Sequence, residues 1–171
     1  VLRDPTGATL ELTEDPALQP DETQMHHLRI TVGDLDASLH FYDMLGFDLL
    51  ERGEIGDAGF VGHDGDADGS HALIRLPDEP FTVRLIQWRT PHGHGRHYAN
   101  PWHAGLFRAA LSVDDTRASY DAMSAAGAVF DRPPQDVVLN GTPVPNMWIT
   151  FISDPDGIAY EFVQRERSAF R

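Results

Sequence analysis

The chain has 171 residues, 41% hydrophobic and 23% charged, which suits one globular domain with enough length to bury a core. Its net charge of −14 argues against nucleic acid and anionic membrane as partners, so any anion it binds must meet a locally positive pocket. The absence of cysteine excludes disulfides, thiolate metal sites and cysteine nucleophiles, and with no membrane-length apolar run or signal peptide a cytoplasmic location is expected.

In chain order, the first element is "DPTGATLEL" (4–12), where Asp-Pro-x-Gly turn chemistry leads into a strand carrying a Glu. Such a strand is expected to pair with a sheet edge, in this chain or in a neighbour, which favours a homodimer. Residues 13–24 are polar and proline-bearing and read as a linker. "HHLRITVGDLDAS" (26–38) then gives a strand over 26–33, an N-cap at Asp34 and a helix over 35–45. Leu35, Leu39, Tyr42 and Leu45 recur at helical spacing and read as core, and Gly46 stands just past the helix end. Strands follow near 47–54, 71–76 and 81–88. Between the last two loops of this half, "DGDADG" (64–69) has the start of a calcium loop. Arg75 stands where that loop needs a bidentate Glu, so it reads as a solvated hairpin. "PHGHGRHYANPWHAG" (91–105) is a glycine-loosened connection holding His92, His94, His97 and His103. The second half predicts a strand over 106–113, a helix over 116–126, and strands near 128–138, 147–153 and 158–164.

The second half copies the first. "FRAALSVDDTRAS" (107–119) lies over 26–38 at an offset of 81, which puts Arg108 on His27 and Gly127 on Gly46. "IAYEFVQ" (158–164) lies over "FTVRLIQ" (81–87) at an offset of 77, which puts Glu161 on Arg84 and Gln164 on Gln87. "DPDGIAYEF" (154–162) lies over 4–12 at an offset of 150. With a start at Val1 in place of Met, that third match makes the chain the expected C-terminal part of a longer tandem protein. The domain reading is a strand remnant and linker over 1–24, a main domain over 25–165 with modules 26–90 and 104–165, and a tail over 166–171.

The motifs "HHLRITVGDLDASLHFYDMLGF", "ALSVDDTRASYDAMSAAG" and "FISDPDGIAYEFVQ" resemble the vicinal oxygen chelate superfamily, which includes glyoxalases, bleomycin-binding proteins and extradiol dioxygenases. The resemblance implies an α+β fold of two βαβββ modules, with curved mixed sheets around a shared cleft. It also implies a divalent metal, such as Zn, Mn, Ni or Fe, held by one residue near the start and one in the last strand of each module. Those positions are His27, Arg84, Arg108 and Glu161. An arginine is permanently protonated and offers no lone pair, so two of the four positions cannot ligate a cation. No cofactor is therefore expected, with His27 and Glu161 as the donors that remain if a metal binds by the family pattern.

Two functional readings stay open. In one, Arg84 or Arg108 clamps a carboxylate or enolate oxygen while Glu161 or His27 moves a proton, as in a lyase or isomerase acting beside a carbonyl. An extradiol dioxygenase fits less well, because the position of its second His is Arg108. In the other, the protein is a non-catalytic binder of the bleomycin-resistance kind, or the degenerate half of a tandem enzyme, with an Arg84–Glu161 salt bridge plugging the site. Either way the partner is a small organic molecule, anionic or carbonyl-bearing. Trp88, Trp102, His103 and Trp148 are the candidate ligand contacts, with Phe60 and Tyr98 as further lining, and the loops 55–72 and 131–147 are expected to shape the pocket.

Overall fold

A computed structural model of the chain describes residues 2–3, 5, 9–12, 16–19, 22–56, 66–93, 97, 102–103, 106–142 and 146–164. It divides into two compact units, Val1–Gly95 and Arg96–Arg171.

The first unit carries β1 (Leu2–Arg3), β2 (Thr9–Leu10), β3 (His27–Thr31), α1 (Leu35–Met44), β4 (Asp48–Ile55), β5 (Asp68–Arg75) and β6 (Thr82–Thr90). β3 to β6 form one sheet in the order β3-β6-β5-β4, with β3 and β6 parallel and the other pairs antiparallel. Side chains alternate across a strand, so each strand splits its residues between two faces. Ile30, Ala72, Ile74, Val83 and Leu85 share one face, and they are buried together with Leu35, Phe41 and Tyr42 of α1. This is the core of the unit, and the other face of the sheet mixes polar residues with Leu73, Trp88 and the buried Ile86. α1 starts because the Asp34 carboxylate accepts from Ala37 N at 3.0 Å. It stops at Gly46, whose φ of +88° is a left-handed conformation that costs a glycine little.

The second unit repeats the plan with β7 (Arg108–Val113), α2 (Thr116–Ala125), β8 (Phe130–Val138), β9 (Asn146–Ser153) and β10 (Ala159–Gln164). The sheet order is β7-β10-β9-β8, again with the first and last strands parallel. Asp115 caps α2 as Asp34 caps α1, and Gly127 ends it at φ +98°. The repeat also explains the paired glutamines. Gln87 Oε1 accepts from Leu35 N at 3.1 Å, and Gln164 Oε1 accepts from Thr116 N at 3.0 Å. Each glutamine closes the last strand of its unit onto the first residue of that unit's helix, satisfying an N–H that the helix itself leaves unpaired.

Three expectations need correction. Among the described residues of 4–12, the strand is Thr9–Leu10, and it pairs not with the edge of a large sheet but with Leu2–Arg3 in a separate two-stranded sheet, within a short loop that closes at small entropic cost. The pairs Arg3↔Thr9 and Leu2↔Leu10 match Ser153↔Ala159 and Ile152↔Tyr160 at the same offset of 150, so the N-terminal copy is a hairpin and not a lone strand. Secondly, the segment 131–147 is not mainly loop, since β8 runs to Val138 through paired positions up to Asn146. Thirdly, the segment 55–72 ends in strand β5, with Asp68 held by a two-bond clamp from Arg89. The tail 166–171 lies outside the described residues. Among the described residues, no helix is long and apolar enough to cross a membrane.

Candidate functional site

In the first unit, alternation along β3 puts His27 and Arg29 on the face away from α1. The register then extends that face across the sheet. Arg29 stands opposite Arg84 on β6, Arg84 opposite Leu73 on β5, and His71 opposite Gly53 on β4. That face therefore carries Arg29, Arg84, His71 and Glu51 on the four strands, with Leu73 and Ile86 among them. Its contacts are specific. Arg84 Nη1 lies 3.1 Å from His71 Nδ1, and His71 Nε2 lies 3.7 Å from Glu51 Oε1. On the β3 side of that face, the Glu11 carboxylate binds Arg29 and approaches His27 Nε2 to 3.7 Å.

Burial and the nearby guanidinium groups shift both imidazoles toward the neutral form. His27 is pushed below its ordinary value first by burial, then by the Arg29 charge, with Glu11 opposing and His26 and Arg84 adding to the depression. His71 is likewise pushed down by burial first and Arg84 second, with Glu51 and Glu54 opposing. A depressed histidine pKa means the folded state resists protonation. Each ring therefore lowers stability as pH falls through and below the ordinary histidine range, and has no such effect above it.

In the second unit the equivalent arrangement is simpler. Arg108 on β7 and Glu161 on β10 share the face away from α2, and Arg108 Nη2 lies 3.1 Å from Glu161 Oε2. Glu161 is 8% exposed, whereas the Arg108 side chain is 46% exposed. The guanidinium also sits 5.5 Å from the centre of the Phe151 ring, on the strand next to Glu161.

The sequence-predicted residues thus fall into two pairs of strands, one in each unit. Within its own unit, Arg84 lies against His71, and Glu161 lies against Arg108. Both pairs are diagonal, two residues apart in register on neighbouring strands of one sheet and on the same face. Trp88 shares the face of Arg84, four residues along β6, about 13 Å away by strand rise. Trp148 does not share the face of Glu161. It lies with Thr150 and Ile152 on the helix side, beneath Arg117 of α2 at 3.6 Å, so it packs against the helix. Trp102 is 78% exposed, and His103 is exposed beside it. In the linking segment, His97 Nε2 is bonded to the Phe107 carbonyl at 2.8 Å. Phe60, His94 and Tyr98 lie outside the described residues.

The sequence reading missed Arg29, His71 and Glu11. Arg29 was detectable, being two residues from His27 on a strand. Glu11 was visible as the repeat partner of Glu161, but not as a neighbour of His27. Nothing in "SHALIRL" marks His71 as more than a strand residue.

The donor chemistry does not fit a divalent metal at the positions the resemblance implies. Each unit offers one donor there and one guanidinium, and the second unit's carboxylate already carries the guanidinium at 3.1 Å. Among the described residues, no three His, Asp or Glu side chains converge into a cation-binding group.

The sequence profile of the Glyoxalase/Bleomycin resistance protein/Dioxygenase superfamily matches residues 24–162. A Haemophilus influenzae protein named lactoylglutathione lyase is 30% identical over 148 residues, covering 84% of this chain and 93% of its own length. A Synechocystis protein named probable lactoylglutathione lyase is 33% identical over 144 residues, covering 81% and 92%. Among solved structures, a glyoxalase family protein from Bacillus cereus aligns with a TM-score of 0.67 at 21% identity, over 86% of this chain and 99% of that one. Glyoxalase I from Zea mays aligns with a TM-score of 0.59 at 24% identity, over 83% of this chain and 44% of that one.

Proposed function

Because the chain belongs to the Glyoxalase/Bleomycin resistance protein/Dioxygenase superfamily, we propose that it binds a small anionic or carbonyl-bearing organic ligand through Arg84 and Arg108, using guanidinium groups where a metal would otherwise sit. The observation that carries this reading is the Arg108–Glu161 contact of 3.1 Å. It puts a permanent cation on the carboxylate that a metal would need, and leaves nearly half of the Arg108 side chain facing solvent. A guanidinium is a planar fork of donors matched to a carboxylate or enolate, so it performs by hydrogen bonding the charge neutralisation that a cation performs by coordination. Glu161 orients Arg108 from beneath, and Phe151 supports the flat face of the group.

A lyase step is the second reading, and the names of the relatives favour it. In that reading His27, shifted toward its neutral form, accepts a proton from a carbon beside the ligand carbonyl, and Arg84 stabilises the enolate oxygen that results.

Calorimetric titration with lactoylglutathione, with and without EDTA, tests both. The expected result is binding that EDTA does not weaken and that Arg84→Gln or Arg108→Gln reduces about tenfold. Binding that appears only with added Zn²⁺, Mn²⁺, Ni²⁺ or Fe²⁺ overturns the metal-free reading. Conversion of the thioester into an α-oxoaldehyde and free thiol, without lactate and lost in His27→Gln, supports the lyase reading.

A further inference from the structure

We infer that His71 is a positioning residue for Arg84: it accepts a hydrogen bond that fixes the guanidinium for carboxylate recognition, and a second proton on its ring releases that hold. This rests on the reading of Arg84 as an anion-binding group.

The argument begins with which atom donates. A guanidinium only donates, so at 3.1 Å the His71 Nδ1 must present its lone pair to Arg84 Nη1. The ring proton is therefore on Nε2, the atom that faces Glu51 Oε1 at 3.7 Å. The ring is buried, at 7% exposure. Its place is also made by a missing side chain. A Cβ on Gly53 would come within 2.9 Å of His71 Nε2, so only glycine at this register position lets the ring lie flat toward β4. Glycine, imidazole and guanidinium thus form a row on three neighbouring strands, each fixing the next.

An arginine side chain has many rotamers to lose, and a single fixed acceptor restricts how the fork can point. An unheld guanidinium keeps its charge and loses its direction. Charge alone attracts chloride and carboxylate alike, whereas a fork held in one plane favours the two-oxygen carboxylate. His71 therefore contributes selectivity rather than raw attraction.

Protonation reverses the contact. With both ring nitrogens carrying protons, two donors face each other at 3.1 Å and the bond is lost. The charged groups around the ring are Arg84 on β6, which opposes protonation, and Glu51 and Glu54 on β4, which favour it. The helix covers the other face of the sheet.

The test uses pyruvate as the carboxylate probe and chloride as its competitor. At pH 7.5, His71→Leu should lower the preference for pyruvate over chloride about tenfold. His71→Asn should stay within about threefold of the unmodified protein, because its side-chain oxygen stands near the place of Nδ1 and accepts the same bond. On acidification the unmodified protein should lose the preference while His71→Asn keeps it. Equal loss in the Asn and Leu variants, or identical acid profiles for the unmodified protein and His71→Asn, overturns the inference. ¹⁵N NMR of the His71 ring is the arm that needs no ligand. It should show the Nε2–H tautomer, with Nδ1 shifting on Arg84→Met. If pyruvate fails to bind the unmodified protein, the anion-binding reading falls, and the NMR arm alone decides whether His71 holds Arg84. An Nδ1–H tautomer overturns that hold.

Discussion

The Arg108–Glu161 pair gives the sharpest test of how this protein manages its buried carboxylate. Replacing Arg108 by Met keeps the apolar stem and removes the charge. Two unit charges about 4 Å apart attract by about 4 kcal/mol at an effective dielectric near 20. Almost half of the Arg108 side chain is in water, which screens the pair and reduces that figure. Glu161, by contrast, is almost fully enclosed, and a buried carboxylate left without its partner costs more than a surface one. The balance puts the net coupling at about 1–2 kcal/mol, between the values usual for exposed and for buried pairs. The assay is a double-mutant cycle in urea at neutral pH and low salt, with Arg108→Met, Glu161→Gln and the double variant. The expected pattern is that Arg108→Met destabilises, and that adding Glu161→Gln restores most of the loss. Additive effects, with coupling under about 0.3 kcal/mol, would refute the view that the carboxylate depends on this guanidinium.

Three further outcomes are expected. Gln164→Ala strips the first N–H of α2 of its acceptor and should lower stability by about 1 kcal/mol in urea unfolding, with Gln87→Ala doing the same for α1. Burial raises the Asp154 carboxyl above the ordinary aspartate value, against the opposing bonds from Ile158 N, Asp156 N and Gly157 N. The folded state therefore holds that proton more tightly than the unfolded chain, and this group's contribution to stability falls as pH rises from the ordinary aspartate value through the raised one. Asp154→Asn should flatten that slope in unfolding curves taken across the acid range, while its side-chain oxygen still serves the turn. Glu11→Gln removes a negative charge from the face that carries Arg29 and Arg84, and should strengthen pyruvate binding by a few-fold in titrations at low salt.

The architecture was readable because it is written twice. The offsets of 81 and 77 recovered both helices and all eight strands of the two large sheets, with ends shifted by a few residues. Local chemistry did this work. Asp34 and Asp115 are caps with a stereochemical role, and Gly46 and Gly127 occupy left-handed positions that penalise other residues. The site was only partly readable, because its contacts join residues distant in sequence, diagonally across strands or from outside the sheet. His71 meets Arg84 thirteen residues away, and Glu11 meets Arg29 eighteen residues away. Such pairs depend on register, and register is set by bulges such as the shift between Leu49 and Glu51, which no short motif announces. Gln87 shows the opposite hazard. The repeat matches it to Gln164, and both serve the backbone.

That pair of glutamines has a consequence for how such a chain is cut and joined. In each unit the final strand reaches back to hold the first turn of the helix, through Gln87 to Leu35 and Gly33 and through Gln164 to Thr116. The last residues of a unit thereby complete its beginning. A truncation just before Gln87 or Gln164 leaves a helix start unsealed, whereas a break just after either residue leaves the closure whole. The smallest fragment that can be duplicated, fused or exchanged without leaving a raw end is therefore the full strand–helix–three-strand unit. A library of chimeras made with junctions on the two sides of each glutamine should show the far-side products more stable by about 1 kcal/mol.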